Sequence, residues 1–246
     1  MKHLFSFVAG GLLLVGTAHA QATLHFGPQV GFVRSTVYNT SSYDPYDLAG
    51  RSGLEAGLVG SLQLGHFAFQ PAILYSQQGF TSEQRPLAGG PVYNTTTTRL
   101  DYLRIPLQLA YTQHADGQGL QFFAGPYLGF LLGGRNKLDY GTGQATGGVV
   151  VTETNTEQFY TGTNIYTIRT PDYNFYGRRL DLGAQVGVGY RLGGALLQVN
   201  YSQGLRRINS VEQYALNGGN AFEVNSPNYR NRSVQVSLSY LLGLSS

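Results

Sequence analysis

Hydrophobic and polar residues alternate along eight segments of this chain. In the clearest segment, Leu103, Ile105 and Leu107 are separated by Arg104 and Pro106, and the alternation continues to residue 112. A period of two residues predicts β-strands, because successive side chains of a strand point to opposite faces of the sheet. On this basis we expect strands at about residues 23–34, 53–64, 67–78, 100–112, 119–133, 178–191, 195–206 and 231–243.

The connections between the predicted strands are alternately short and long. Tight turns are expected at residues 65–66, 114–118 and 192–194, and long polar loops at residues 35–52, 79–99, 134–177 and 207–230. Outer-membrane barrels combine an even number of strands with short periplasmic turns and longer extracellular loops. The pattern therefore predicts an all-β fold, an eight-stranded antiparallel transmembrane up-and-down β-barrel with long extracellular loops and with both termini in the periplasm.

One face of the predicted strands is apolar, and its aromatic residues lie near the strand ends. Phe122 and Phe130 are eight residues apart on one strand, which corresponds to roughly 19 Å of height at about 3.3 Å per residue and about 45° of tilt. This separation fits an apolar band about 25 Å tall between two aromatic girdles. A soluble β-sandwich could also alternate, but its core would not require aromatic residues to avoid the strand middles.

The other face is small or polar, and eight strands enclose an interior that side chains can fill. This argues against a conducting pore. Four charged residues, Glu55, Arg104, Arg179 and Asp181, share the inward parity near the outer ends of their strands. Because an unpaired buried charge is strongly unfavourable, we expect these four residues to form a lumen charge network.

The first twenty residues have the pattern of a secretory signal peptide. Lys2 and His3 precede an apolar stretch from Leu4 to Val15, and an Ala-His-Ala cleavage site ends at Ala20. We expect residues 1–20 to be the signal peptide and residues 21–246 to be the outer-membrane β-barrel domain. The chain has no cysteine and therefore no disulfide, and no apolar run after residue 20 is long enough for a spanning helix.

Only 12% of the residues are charged, and most arginines fall at the predicted outer strand ends. Arginine makes bidentate contacts with phosphate, and lipopolysaccharide carries phosphates in the outer leaflet. The candidate lipid-phosphate contacts are Arg34, Arg51, Arg135, Arg178, Arg206 and Arg230. The alternative is that such arginines pair with acidic residues of the barrel. The expected partners are outer-membrane lipids including lipopolysaccharide and a possible envelope protein; no basic run or RNA-binding motif indicates nucleic acid.

Catalytic and metal-binding patterns are weak. A hydrolase of this architecture requires a hydroxyl group activated by a histidine. His25, His66 and His114 lie at the predicted periplasmic end, and the one carboxylate expected near them is Asp116, beside His114 in a tight turn. The loop carboxylates lack calcium-loop spacing, and the glycine-rich stretch 183–189 lies inside a strand instead of opening a helix. We therefore expect no catalytic residue, no metal site and no cofactor.

Several segments resemble the PorT-like outer-membrane β-barrel family, in matching order from about residue 23 to residue 244. The most specific are Tyr-Leu-x-Ile-Pro at 102–106 and Ala-Gly-Pro-Tyr-Leu-Gly at 124–129. The resemblance implies an eight-stranded barrel, some of whose relatives are associated with protein secretion and gliding. Arg104 occupies a position that is often acidic in those relatives, and the 134–177 segment is a further departure from them.

These observations together favour a non-enzymatic integral outer-membrane barrel that acts in envelope structure, in surface binding or as an accessory of protein secretion. A lipid-modifying barrel enzyme is the alternative, and a narrow channel is a third possibility.

Overall fold

The computed structural model describes residues 22–39, 46–84, 92–142, 151–161, 164–167, 175–208, 212–215, 221–223 and 228–243. The predicted signal peptide lies outside these residues. Within them, no helix has the length and apolar character needed to cross a membrane.

Most of the described residues lie in β-strands. In chain order these are β1 (Thr23–Asn39), β2 (Tyr46–Leu64), β3 (Phe67–Gln84), β4 (Val92–Thr112), β5 (Gly119–Thr142), β6 (Val151–Thr161), β7 (Asn164–Thr167), β8 (Phe175–Gly177), β9 (Leu180–Leu192), β10 (Ala195–Gly204), β11 (Glu212–Ala215), β12 (Ala221–Glu223), β13 (Tyr229–Tyr240) and β14 (Leu242–Gly243).

Eight of these strands close into a ring in which every neighbouring pair is antiparallel. The order around the ring is β1, β2, β3, β4, β5, β9, β10 and β13. Gln29 of β1 lies opposite Ser239 of β13, so the first and last long strands pair as closure requires. The predicted eight-stranded antiparallel barrel is confirmed. We call the end with the turns after β2, β4 and β9 the short-turn end, and the opposite end the hairpin end.

The predicted apolar face points outward. Phe32 is 71% exposed and Leu58 is 65% exposed, and the tyrosines and phenylalanines near the strand ends are exposed as well. Exposed apolar side chains around a whole barrel are the arrangement that hydrocarbon surroundings favour, because the interior then holds the polar groups.

The interior contains more hydrocarbon than the sequence pattern predicted. Buried apolar side chains form one cluster towards the short-turn end (Val59, Ala72, Leu74, Leu196 and Leu241) and one towards the hairpin end (Val37, Leu100, Tyr102, Leu131 and Ile208). Between them lies a polar layer that includes Gln29, Glu55, Arg104, Gln108 and Gln185. The expectation of an inward face that is only small or polar was therefore incomplete.

The strands also continue beyond the predicted boundaries at the hairpin end. The predicted loop 134–177 was wrong in part, because β5 continues to residue 142 and β6, β7 and β8 follow within the same segment. Residues 95–98 of β4, all threonine, were likewise expected in a loop. Threonine and tyrosine favour strands, but outside the membrane both faces meet water and the alternation that signals a strand is lost.

Two β-bulges interrupt the register between strands of the eight-stranded ring near the hairpin end. On β5, Leu131 lies opposite Tyr102 whereas Gly133 lies opposite Asp101, so Leu132 is one extra residue. On β2, the register with β3 shifts between Gly50 and Glu55. An extra residue reverses which side chains face inward. Beyond each bulge, side-chain parity therefore differs from that of the membrane-facing part of the same strand.

Candidate functional site

An ion pair between Glu55 and Arg104 crosses the middle of the lumen. Arg104 Nη1 lies 3.4 Å from Glu55 Oε2, and the two side chains are only 3% and 4% exposed. Arg104 Nη2 also donates a hydrogen bond of 3.5 Å to Gln185 Oε1. The guanidinium carbon lies 4.4 Å from the centre of the Tyr127 ring, within the range of a cation–π contact. The predicted pairing of inward charges is therefore present for these two residues.

Asp181 lies in a separate group of hydrogen bonds. Its Oδ2 atom accepts one bond from the Tyr127 hydroxyl at 3.2 Å and another from Asn231 Nδ2 at 2.8 Å. Asn231 Nδ2 also donates to the Tyr102 hydroxyl oxygen at 3.3 Å. A Cβ atom at Gly204 would lie 3.2 Å from Asp181 Oδ1, so glycine leaves the space that this carboxylate occupies.

Arg179 does not join the lumen charge network, and the expectation for this residue was wrong. Its side chain is exposed, whereas Asp181, two residues later, is buried. The reason is that Arg179 lies in a bend before β9 begins at Leu180, where strand parity does not hold. Its backbone carbonyl still accepts a hydrogen bond from the Leu131 amide at 2.7 Å.

The geometry also separates Asp181 from Arg104. Tyr127 lies between them, because its ring makes the cation–π contact with the Arg104 guanidinium group and its hydroxyl donates a hydrogen bond to the Asp181 carboxylate. The sequence pattern did not single out Tyr127, Gln185 or Asn231 as partners of the charges. Strand parity alone could have found Tyr127, because it lies two residues after the inward Gly125.

The polar layer of the lumen is almost completely filled. The cavity beside Glu55 and Arg104 has a volume of about 10 Å³, measured as space for the centre of a water molecule. That is barely room for one water. The part of the lumen that the structure describes therefore leaves no space for a hydrated ion at this level.

The candidate lipid-phosphate arginines lie at the hairpin end as predicted, but their surroundings differ. Arg34 and Arg135 are exposed, whereas Arg51, Arg178, Arg206 and Arg230 are half-buried. Arg34 Nη1 donates to Ser52 Oγ at 3.5 Å. Buried nitrogen atoms of Arg51 (Nη1) and Arg230 (Nε) have no hydrogen-bond partner. Their predicted contact with lipid phosphate remains a prediction.

The histidines of the short-turn end make local contacts. His66 Nδ1 lies 3.0 Å from the Thr112 carbonyl oxygen, and His114 Nδ1 lies 3.1 Å from the Gln118 carbonyl oxygen. The Gln118 side chain joins two turns, because it donates to the Gly193 carbonyl and accepts from the Gly193 amide. Among the described residues, no three His, Cys, Asp or Glu side chains are placed to hold a metal ion.

A larger depression of about 390 Å³ lies on the outward face near the short-turn end. Its walls are apolar and aromatic, and the side chains include Phe67, Tyr111, Phe122, Val186 and Val188. No carboxylate, histidine, serine or threonine lines it, and Tyr111 carries the one hydroxyl among its lining residues.

Solved structures of three outer-membrane proteins are similar to this chain at low sequence identity. The attachment invasion locus protein Ail of Yersinia pestis, solved in complex with the heparin analogue sucrose octasulfate, has 8% identity and a TM-score of 0.37, with 89% of this chain and 99% of that chain covered. Neisserial surface protein A has 12% identity and a TM-score of 0.39, with 87% and 96% covered. The translocator domain of autotransporter NalP from Neisseria meningitidis has 12% identity and a TM-score of 0.30, with 97% and 94% covered.

No curated protein matches the sequence. Residues 19–210, well over half of the chain, match the family described as outer membrane protein beta-barrel domain. The closed ring of eight strands, the outward apolar face and the polar layer inside agree with this match, and the chain belongs to that outer-membrane β-barrel family.

Proposed function

We propose that the protein is a non-enzymatic, non-conducting outer-membrane barrel that holds long β-hairpins outside the cell for surface binding, for envelope structure or as an accessory of protein secretion. In this orientation the short-turn end and both termini lie in the periplasm. The observation that carries the proposal is the filled lumen, in which the Glu55–Arg104 pair lies between two layers of buried apolar side chains.

The hairpins supply the surface for binding. β5 continues twelve residues beyond Phe130, from the outer aromatic belt to Thr142. At about 3.3 Å per residue and about 45° of tilt, this segment rises roughly 28 Å above that belt. β4 pairs with β5 as far as residue 92, so the projection is a hydrogen-bonded sheet that can present side chains to a partner.

Contacts with lipid phosphates would hold the barrel at a fixed depth. The six candidate arginines all lie at the hairpin end, which faces the lipopolysaccharide leaflet in the proposed orientation. Arginine suits this role because its planar guanidinium group presents two parallel donors to phosphate oxygens.

Planar-bilayer recording tests the closed lumen. We expect no steady conductance above the bare membrane for the native protein. A water-filled porin reconstituted in the same bilayer serves as the conducting control, because it shows that an open lumen would be detected. Steady conductance of the native protein would refute the proposal and favour the channel.

Surface labelling tests the orientation. The chain has no cysteine, so a single introduced cysteine is the only reactive thiol. We expect a membrane-impermeant maleimide to label Thr142→Cys in intact cells and to label Asp116→Cys only after the outer membrane is permeabilised. The reverse pattern would contradict the proposed orientation.

A further inference from the structure

Two arginines lie directly opposite each other on the outer face of the barrel, at the hairpin end. Arg99 of β4 pairs in register with Arg135 of β5. Thr98 and Leu100 on one strand and Asn136 on the other are buried, so both arginines point away from the interior. Side chains directly opposite in an antiparallel pair have Cβ atoms about 5 Å apart, which brings the two guanidinium groups within reach of one ligand.

The β-bulge at Leu132 is what places Arg135 there. Before the bulge, the odd-numbered residues of β5 face inward, as the buried Tyr127 and Leu131 show. Continued alternation would point Arg135 into the lumen. The extra residue reverses the parity, and Arg135 is exposed on the outer face instead. Bulges commonly re-aim side chains next to functional sites.

The electrostatics of the pair leave a positive excess. Arg99 Nε contacts Asp101 Oδ1 at 3.2 Å, and hydrogen bonds to Tyr75 and Asp101 raise the pKa of Arg99, which lies beyond the membrane-facing segment. Arg51 interacts electrostatically with both Arg99 and Asp101. Among the described residues, Arg135 has no ion-pair partner, and neutral Gln158 stands opposite it on β6. Three guanidinium groups and one carboxylate give a net charge of +2.

The height of the pair matches the headgroup layer. Arg135 lies five residues beyond Phe130 of the outer aromatic belt, but one of these five is the extra residue of the bulge. The rise is therefore that of about four residues, or roughly 9 Å at about 3.3 Å per residue and about 45° of tilt. Polar headgroup layers extend several ångströms beyond each face of the hydrocarbon core. Like charges placed directly opposite each other destabilise a strand pair, and an anion between them removes that cost.

We infer that Arg99 and Arg135, supported by Arg51, form a binding site for a phosphate group of an outer-leaflet glycolipid. This inference rests on the proposed orientation, in which the hairpin end faces the outer leaflet. The two arginine forks bind the phosphate oxygens from adjacent strands, Asp101 and Tyr75 hold Arg99 in place, and the half-buried Arg51 adds charge from β2.

Native mass spectrometry of the refolded barrel in phosphatidylcholine nanodiscs, titrated with bis-phosphorylated lipid A, tests the site. We expect the native protein to retain one lipid A molecule and the Arg99→Gln, Arg135→Gln double variant to bind it at least about tenfold more weakly, because charge-assisted hydrogen bonds are lost. Arg179→Gln with Arg232→Gln is the matched control. It removes two exposed arginines of the hairpin end, one in the bend before β9 and one on β13, and we expect a change of less than about threefold.

Three results would overturn the inference: no lipid A bound by the native protein, equal weakening in both double variants, or inorganic pyrophosphate bound as tightly as lipid A. The second result would indicate diffuse attraction by surface charge, and the third would indicate a site for soluble phosphate. Conductance and surface labelling do not depend on these arginines. A failed lipid site combined with a closed, correctly oriented barrel would therefore leave the proposed function standing.

Discussion

Removing one partner of the lumen ion pair should destabilise the barrel severely. Glu55→Ala leaves the Arg104 guanidinium group buried, with only the 3.5 Å hydrogen bond to Gln185 and the contact with the Tyr127 ring. The Nε atom of Arg104 has no hydrogen-bond partner even in the native protein. Breaking a buried pair costs about 3–5 kcal/mol. At about 1.4 kcal/mol per factor of ten, the folding equilibrium constant should fall by two to nearly four orders of magnitude.

The double variant Glu55→Leu, Arg104→Met separates the cost of an unpaired charge from the cost of lost packing. Replacing both charges with apolar groups of similar volume is often neutral or stabilising, so we expect it to be much more stable than Glu55→Ala. Urea unfolding in lipid vesicles measures the free energy of unfolding of Glu55→Ala and of the double variant. Unfolding is followed by far-UV circular dichroism because the chain has no tryptophan. A Glu55→Ala loss below about 1 kcal/mol, or an equal loss in the double variant, would refute the reasoning.

Asp181→Ala is the informative comparison for the same experiment. The sequence pattern suggested that this change would leave an arginine unpaired, but the partners of Asp181 are the neutral Tyr127 hydroxyl and Asn231 amide. Leaving neutral buried donors unsatisfied costs about 1–3 kcal/mol, so we expect a smaller loss than for Glu55→Ala. A larger loss would show that Asp181, and not Glu55, balances the charge of Arg104.

Leu58→Arg, in the middle of the outward face, should lower the free energy of unfolding by about 2–4 kcal/mol, whereas the control Ser52→Arg near the hairpin end should lower it by at most about 1 kcal/mol. Equal losses would contradict the position of Leu58 near the middle of the membrane. Gln118→Ala removes two hydrogen bonds between neighbouring short turns and should lower the free energy of unfolding by about 1 kcal/mol, since each net bond contributes about 0.5–1.5 kcal/mol and these are exposed; no change would show that the turns do not support each other. Cysteines replacing Gln29 and Ser239 should form a disulfide on oxidation, seen as faster migration in a non-reducing gel, and failure to cross-link would argue against the β1–β13 register.

The membrane-facing part of the fold could be predicted from the sequence because lipid enforces a strict alternation. Leu58 and Phe122 fall on the outward face as predicted, and the eight strands and their short turns were found on the same basis. Beyond the aromatic belt that constraint ends. The continuation of β5 and the separate strand β6 were therefore expected to be loop.

The charged site could be predicted only in part, because single irregularities decide where side chains point. Glu55 and Arg104 were both expected to face inward, and their side chains form an ion pair in the lumen. Arg179 lies in the bend before β9, so its inward assignment failed. The bulge at Leu132 reverses the parity of Arg135. A bulge is one additional residue with no distinctive composition, so alternation alone cannot locate it.

Closure of the ring by β1 and β13 also has a consequence for how the molecule assembles. The partners Gln29 and Ser239 lie at opposite ends of the sequence, so the backbone groups on one edge of β1 have no native partner until β13 has been made and positioned. Contacts between residues so far apart in the chain slow folding, and an unpaired strand edge invites pairing with other chains. The newly exported polypeptide must therefore be kept from aggregating until its last long strand arrives, and insertion into the bilayer and completion of the sheet become a single late step.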